Sequence, residues 1–221
     1  MSRIRVKICG ITTAVGLAAA AEADFVGFVF FPASPRAVTP AQAKAISTAL
    51  PGGPRRVGLF VDPDDALLAE AAPLLDMIQL HGAESPARVA DIRARFRRPV
   101  MKALGIATEA DLGAIATYAR VADMLLLDAK PAPGATRPGG NAHAFDWGLV
   151  RRAALPPIWM LAGGLTPLNV AEAIAASGAP AVDVSSGVEA SPGVKDAKLI
   201  KAFLTAARGG AAPAAGVSPP N

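Results

Sequence analysis

Eight short apolar runs recur along the chain, each followed by a longer stretch whose apolar positions have helical spacing. The runs span 3–8, 25–30, 56–61, 77–80, 100–103, 123–127, 158–161 and 181–184, and read as strands. The helical stretches span 13–23, 40–49, 64–74, 86–96, 108–118, 145–153, 167–176 and 195–207. Strict alternation predicts parallel strands joined by right-handed crossovers. Eight units of about 27 residues match a closed (β/α)8 TIM barrel, an α/β fold of one domain.

Helix starts support this reading. Thr39-Pro40, Ser85-Pro86 and Thr166-Pro167 each set a capping hydroxyl before a proline suited to a first turn, and Asp62-Pro63-Asp64 is similar. Gly113 interrupts the fifth helix. The barrel is expected to occupy residues 1–208. Residues 209–221, rich in Gly, Ala and Pro without periodicity, are expected to be disordered.

With 52% hydrophobic residues the chain can fill a large core. A single cysteine argues for a reducing compartment, and the cytoplasm is the expected location. Arg3, Arg5 and Lys7 break any leader-like apolar run, and no uninterrupted stretch is long enough to span a membrane. Much of the net charge of +4 lies in Arg88, Arg93, Arg95, Arg97 and Arg98. Without interleaved aromatics or a known module, that run reads as a solvated helix face, not a nucleic-acid site. Nothing in the sequence speaks to oligomeric state.

Strand parity says which side chains meet inside. In the first strand Ile4, Val6 and Ile8 share one face, and Arg3, Arg5, Lys7 and Cys9 the other. The apolar face meets the helices, so Lys7 and Cys9 point into the barrel, with Cys9 at the C-terminal end where such folds hold their chemistry. A lone cysteine is ordinarily a small buried apolar residue. Other strands converge on the same mouth: Asp128 follows the run Met124-Leu125-Leu126-Leu127, and Gln79 and His81 alternate at the end of the fourth strand. Asp183, within the eighth strand, needs a partner if buried, and Lys7 of the neighbouring first strand is the candidate.

Gly163-Gly164 ends the seventh strand, and Ser185-Ser186-Gly187 ends the eighth. Loops after those two strands are the recurrent phosphate site of such barrels, where unobstructed backbone N–H groups meet an anion. After the second strand, Arg36 sits behind Pro32 and Pro35, suited to a planar two-point contact with a carboxylate. The two histidines are far apart and offer no metal cluster, and no dinucleotide fingerprint, P-loop or G-x-S-x-G elbow is present. The expected chemistry therefore uses acid–base groups alone, without a cofactor.

The chain resembles the phosphoribosylanthranilate isomerase family of tryptophan biosynthesis. The resemblance is carried by K-I-C-G-I-T from Lys7, G-F-V-F-F-P-A-S-P-R from Gly27, V-G-L-F-V from Val57 and Q-L-H-G-A-E from Gln79. It continues through L-L-D-A-K from Leu126, F-D-W at Phe145, L-A-G-G-L-T-P-L-N-V from Leu161 and D-V-S-S-G-V-E-A-S-P-G-V-K-D from Asp183. The loop at Gly139-Gly140-Asn141-Ala142-His143-Ala144 departs from the Gly-Gly-Thr/Ser-Gly pattern frequent in the family.

The resemblance implies an Amadori rearrangement of a small phosphorylated aromatic amine. It implies Asp128 as general acid on the ribose ring oxygen and Cys9 as general base at C2′. It further implies Arg36 on the anthranilate carboxylate, and Gly164, Ser185 and Ser186 on the phosphate. Lys7 is then expected to help Cys9 by lowering the thiol pKa. The sister isomerase of histidine biosynthesis would carry an aspartate in place of Cys9, and a silent phosphosugar-binding barrel would need neither Cys9 nor Asp128.

Overall fold

The computed structural model describes residues 3–130 and 146–209. Its strands are β1 (Arg5–Cys9), β2 (Phe25–Val29), β3 (Arg55–Phe60), β4 (Met77–Leu80), β5 (Val100–Ile106), β6 (Met124–Ala129), β7 (Trp159–Leu161) and β8 (Ala181–Val184). They pair in parallel in chain order, and β1 closes on β8, giving the expected (β/α)8 barrel. Crossovers carry α1 (Ala14–Ala19), α2 (Pro40–Ser47), α3 (Asp65–Ala71), α4 (Pro86–Phe96), α5 (Ala114–Tyr118), α6 (Gly148–Arg151) and α7 (Val170–Ser177), and α8 (Ala197–Ala207) follows β8. The tail from 210, the Gly139–Ala144 sequence and Phe145 lie outside the described residues.

Alternation along each strand divides the core in two. Val26 and Phe28 of β2 and Leu125 and Leu127 of β6 pack outward against the helices. Phe25, Val57, Met77, Met101, Met124, Leu126 and Met160 form a separate cluster inside the barrel. Methionines suit this interior because the thioether fills irregular gaps.

The capping signals act as sequence predicts at three helices. Thr39 and Gln42 form a reciprocal capping box, Ser85 accepts from the Arg88 amide, and Asp64 accepts from the Leu67 amide. At Thr166-Pro167 the Thr166 hydroxyl accepts from the Leu168 amide at 3.3 Å and the Asn169 side chain accepts from the Thr166 amide at 2.7 Å, a reciprocal cap on the turn that leads into α7 at Val170. The stretch expected as one helix over 108–118 begins instead as a 3₁₀ turn, Glu109–Gly113. There the Asp111 carboxylate ties back to the Ala107 and Thr108 amides.

Two strands escape the sequence reading. β9 (Glu189–Ser191) and β10 (Val194–Lys195) form an antiparallel hairpin between β8 and α8. Lys195, read as the first residue of the last helix, belongs to this hairpin, and α8 starts after the Asp196 cap. The arginine-rich α4 is laced with ion pairs: Arg88 meets Asp65 and Asp91, Arg93 meets Asp123, and Arg95 meets Asp65. Among the described residues no helix is long and apolar enough to cross a membrane.

Candidate active site at the C-terminal mouth of the barrel

One pocket opens at the C-terminal ends of the strands, with Cys9 and Asp128 both on its wall. Cys9 is the last residue of β1, and Asp128 lies one residue from the end of β6, three strands away around the closed barrel. Gly163, Gly164, Ser185 and Ser186 line the β7–β8 side. Val29, Phe31, Leu59 and Val61 make an apolar wall on the β2–β3 side, next to Arg36. The pocket therefore offers an acid, a thiol, a cation and two backbone turns around one space.

Beneath Cys9, Lys7 is fully buried, and its Nζ donates to Asp183 Oδ1 at 3.0 Å, the pairing sequence predicts. Gly27 of β2 is what admits this arrangement. A Cβ there would stand 2.8 Å from Cys9 Sγ and 3.1 Å from Lys7 Nζ. Burial pulls the Lys7 ammonium down, but Asp183 and Cys9 more than offset it and leave its pKa raised. Burial pushes the Cys9 thiol up, and Lys7 only partly opposes this. Lys7 acts in the expected direction, lowering the thiol pKa, but burial outweighs it and the net direction is upward.

Asp128 is held from two sides. Its Oδ1 accepts from the Ala129 amide at 2.8 Å, and Oδ2 lies 3.2 Å from His81 Nε2. Gly163 follows β7 with φ of 89°, and a Cβ there would meet the Ala129 nitrogen at 2.5 Å and Asp128 Oδ1 at 2.9 Å. The glycine thus serves the acid as well as the turn, since only glycine takes this conformation with so close an approach. On the far side of His81, the Gln79 amide nitrogen lies 3.0 Å from Nδ1. The ring's tautomer is coupled to the Gln79 amide: where that amide donates to Nδ1, the ring proton sits on Nε2, facing Asp128.

Of the residues singled out from sequence, Cys9, Asp128, His81, Arg36, Asp183, Gly163, Gly164, Ser185 and Ser186 line the pocket. Lys7 and Gln79 are fully buried and do not line the pocket; the Gln79 side chain meets His81 instead. Gly187 packs against the Leu165 carbonyl and does not open on the pocket.

Two ionic groups fall outside the sequence reading. Arg36 is only 6% exposed, and its Nε and Nη2 each donate to the Glu189 carboxylate at 2.7 Å. Lys195 Nζ meets Glu189 Oε1 at 2.6 Å and the Ser185 carbonyl at 3.0 Å. Burial raises the Glu189 carboxyl, yet Arg36 and Lys195 bring its pKa below the usual value. Burial holds the Lys195 ammonium below its ordinary value, with Glu189 restoring part. The second is the pair Lys102 and Glu84, both buried, joined at 2.8 Å outside the β5 wall. The Ser191-Pro192-Gly193 turn was the one sequence signal that could have revealed the hairpin carrying Glu189 and Lys195.

Fold and pocket together define a (β/α)8 barrel of the class that performs acid–base chemistry on small anionic molecules. Residues 6–206 match the family model for N-(5′-phosphoribosyl)anthranilate (PRA) isomerase, and the chain belongs to that family. It is 57% identical over 208 residues to the N-(5′-phosphoribosyl)anthranilate isomerase of Paracoccus denitrificans, covering 92% of this chain and 97% of the relative. The enzyme of the same name from Paramagnetospirillum magneticum is 56% identical over 94% of this chain and 98% of its own. Among solved structures, phosphoribosyl anthranilate isomerase from Thermotoga maritima superposes with a TM-score of 0.82 at 40% identity, covering 93% of this chain and 99% of the other. A phosphoribosyl anthranilate isomerase in complex with reduced 1-(o-carboxyphenylamino)-1-deoxyribulose 5-phosphate gives a TM-score of 0.80 at 38% identity, with the same coverage.

Proposed function

We propose that this pocket rearranges N-(5′-phosphoribosyl)anthranilate through Asp128 as acid and Cys9 as base. The chain is an isomerase of tryptophan biosynthesis, and its product is 1-(2-carboxyphenylamino)-1-deoxyribulose 5-phosphate. The observation that carries the assignment of roles is that both groups line one pocket together with two backbone turns, Arg36 and an apolar wall.

A phosphate at the Gly163–Gly164 and Ser185–Ser186 turns and an aromatic ring against Val29, Phe31, Leu59 and Val61 stretch the substrate across the mouth. The ribose then lies between Asp128 and Cys9. Asp128 delivers a proton to the ring oxygen as the bond from C1′ to that oxygen breaks, leaving a Schiff base between C1′ and the amine. Cys9, as thiolate, takes the proton from C2′ to give an enolamine, which takes up a proton at C1′ and loses its 2′-hydroxyl proton to become the ketone. The His81 N–H aimed at Asp128 stabilises the carboxylate left behind. The buried thiol is mostly protonated at neutral pH, and its thiolate is the stronger base for that reason.

One cysteine, a phosphorylated small-molecule substrate and an ion-paired basic helix support a cytoplasmic enzyme that needs no nucleic acid. The test is a fluorescence assay with purified protein and N-(5′-phosphoribosyl)anthranilate. Catalysed loss of the substrate's signal is expected, and no loss above the uncatalysed background would overturn the reading.

A further inference from the structure

A buried guanidinium is costly unless its hydrogens and charge are matched. Glu189 satisfies one edge of Arg36, the Nε–Nη2 side, with two contacts of 2.7 Å. Arg36 still lines the pocket, so the edge ending in Nη1 is what remains for a ligand. Glu189 is itself fixed, accepting from the Gly193 amide at 3.2 Å and from Lys195 Nζ at 2.6 Å. The hairpin holding Glu189 and Lys195 is tied to the loop after β1 where Thr12 Oγ1 donates to the Gly193 carbonyl at 3.0 Å. Neither Glu189 nor Lys195 lines the pocket.

Charge makes the pairing informative. Arg36 with Glu189 alone is neutral and attracts a carboxylate weakly. Lys195 brings the cluster to one net positive charge, which matches one carboxylate. We propose that Glu189 and Lys195 are a positioning pair for Arg36, locking its guanidinium side-on and leaving one net charge and one free edge for the substrate carboxylate; this rests on the reading of Arg36 given above. Selectivity for a carboxylated ring is then written in a hairpin that never touches it.

The test compares kcat/KM for N-(5′-phosphoribosyl)anthranilate with that for the carboxyl-free N-(5′-phosphoribosyl)aniline. The ratio is measured in wild type, Arg36→Met, Glu189→Gln and Lys195→Met. A fall of about tenfold or more is expected in all three variants, in Glu189→Gln because the unlocked guanidinium outweighs the added positive charge; this is equivalent to about 1.4 kcal/mol and carried mainly by KM for the carboxylated substrate. A pair that merely stabilised the fold would lower both substrates alike and leave the ratio unmoved. A wild-type ratio in either Glu189→Gln or Lys195→Met, with the ratio lost in Arg36→Met, overturns the positioning pair and leaves the Arg36 reading intact. A wild-type ratio in Arg36→Met overturns both. Should either pair variant fail to fold, Glu189→Asp and Lys195→Gln read the same ratio.

Discussion

Lys7 Nζ lies 3.0 Å from Asp183 Oδ1, an ion pair that joins the buried lysine beneath Cys9 to a carboxylate on the pocket wall. Lys7 pulls the thiol pKa down and Asp183 pushes it up, against a larger upward push from burial. Replacing Lys7 by Met removes the largest effect that lowers the thiol pKa, so the thiol titrates at higher pH. Asp183→Asn moves it the other way. Because Cys9 is the only cysteine, the pH dependence of alkylation by iodoacetamide reads this group alone. The rising limb of kcat/KM with pH should shift in step. Shifts of the same sign in both variants would refute the account. Linkage adds a check: the raised Lys7 pKa contributes stability that is full below about pH 10.4 and is lost as pH climbs through the raised value. Asp183→Asn should flatten that alkaline loss.

Cys9→Ala and Asp128→Asn each remove one proton-transfer group while leaving the pocket's anion contacts in place. Each should lower kcat by about 10²–10⁴-fold with a far smaller change in KM. Steady-state assays on both variants check this, and near wild-type kcat in either variant rules out the role assigned to that residue.

Period-two alternation placed Cys9, Lys7, Gln79, His81, Asp128 and Asp183 on the inner face, because a strand buried on both sides still sends successive side chains opposite ways. Lys102 shows where that reading stops. It sits in β5 between the buried Met101 and Ala103, and its partner Glu84 is in a loop 18 residues earlier, so no local pattern joins them. Glu189 and Lys195 lie in strands of three and two residues, too short for any periodicity to register. Thr166-Pro167 carried a valid start signal, and Asn169 completes it by bonding back to the Thr166 amide and the Gly164 carbonyl.

His81 connects Gln79 to Asp128, with contacts of 3.0 Å and 3.2 Å on its two ring nitrogens. Gln79→Leu removes the partner that sets the ring's tautomer without entering the pocket. A hydrogen bond to a charged group has a net value of about 1.5–3 kcal/mol, so His81→Asn should cost kcat roughly ten- to a hundredfold. Gln79→Leu should show part of that loss, again in kcat more than in KM. If Gln79→Leu alters KM alone, the tautomer role is wrong.

Lys102 holds the backbone on both sides of His81, donating to the Gly82 carbonyl at 2.7 Å and approaching that of Leu80 at 3.4 Å. Its partner Glu84 accepts from the Gly82 amide at 3.0 Å and from the Asp62 amide at 2.9 Å, where Asp62 takes a left-handed φ of 46°. Lys102→Met strands a buried carboxylate and should cost about 3–5 kcal/mol in denaturant unfolding. Adding Glu84→Leu removes the lone charge, and for an ion pair acting only on itself that would restore stability in full. Here recovery should be partial, because the Gly82 and Asp62 amides lose their acceptor and the strained Asp62 backbone loses its anchor. Full recovery in Glu84→Leu/Lys102→Met would show that the carboxylate serves only to balance Lys102. Partial recovery, with kcat still depressed, is the outcome for a pair that shapes the loop presenting His81 to Asp128.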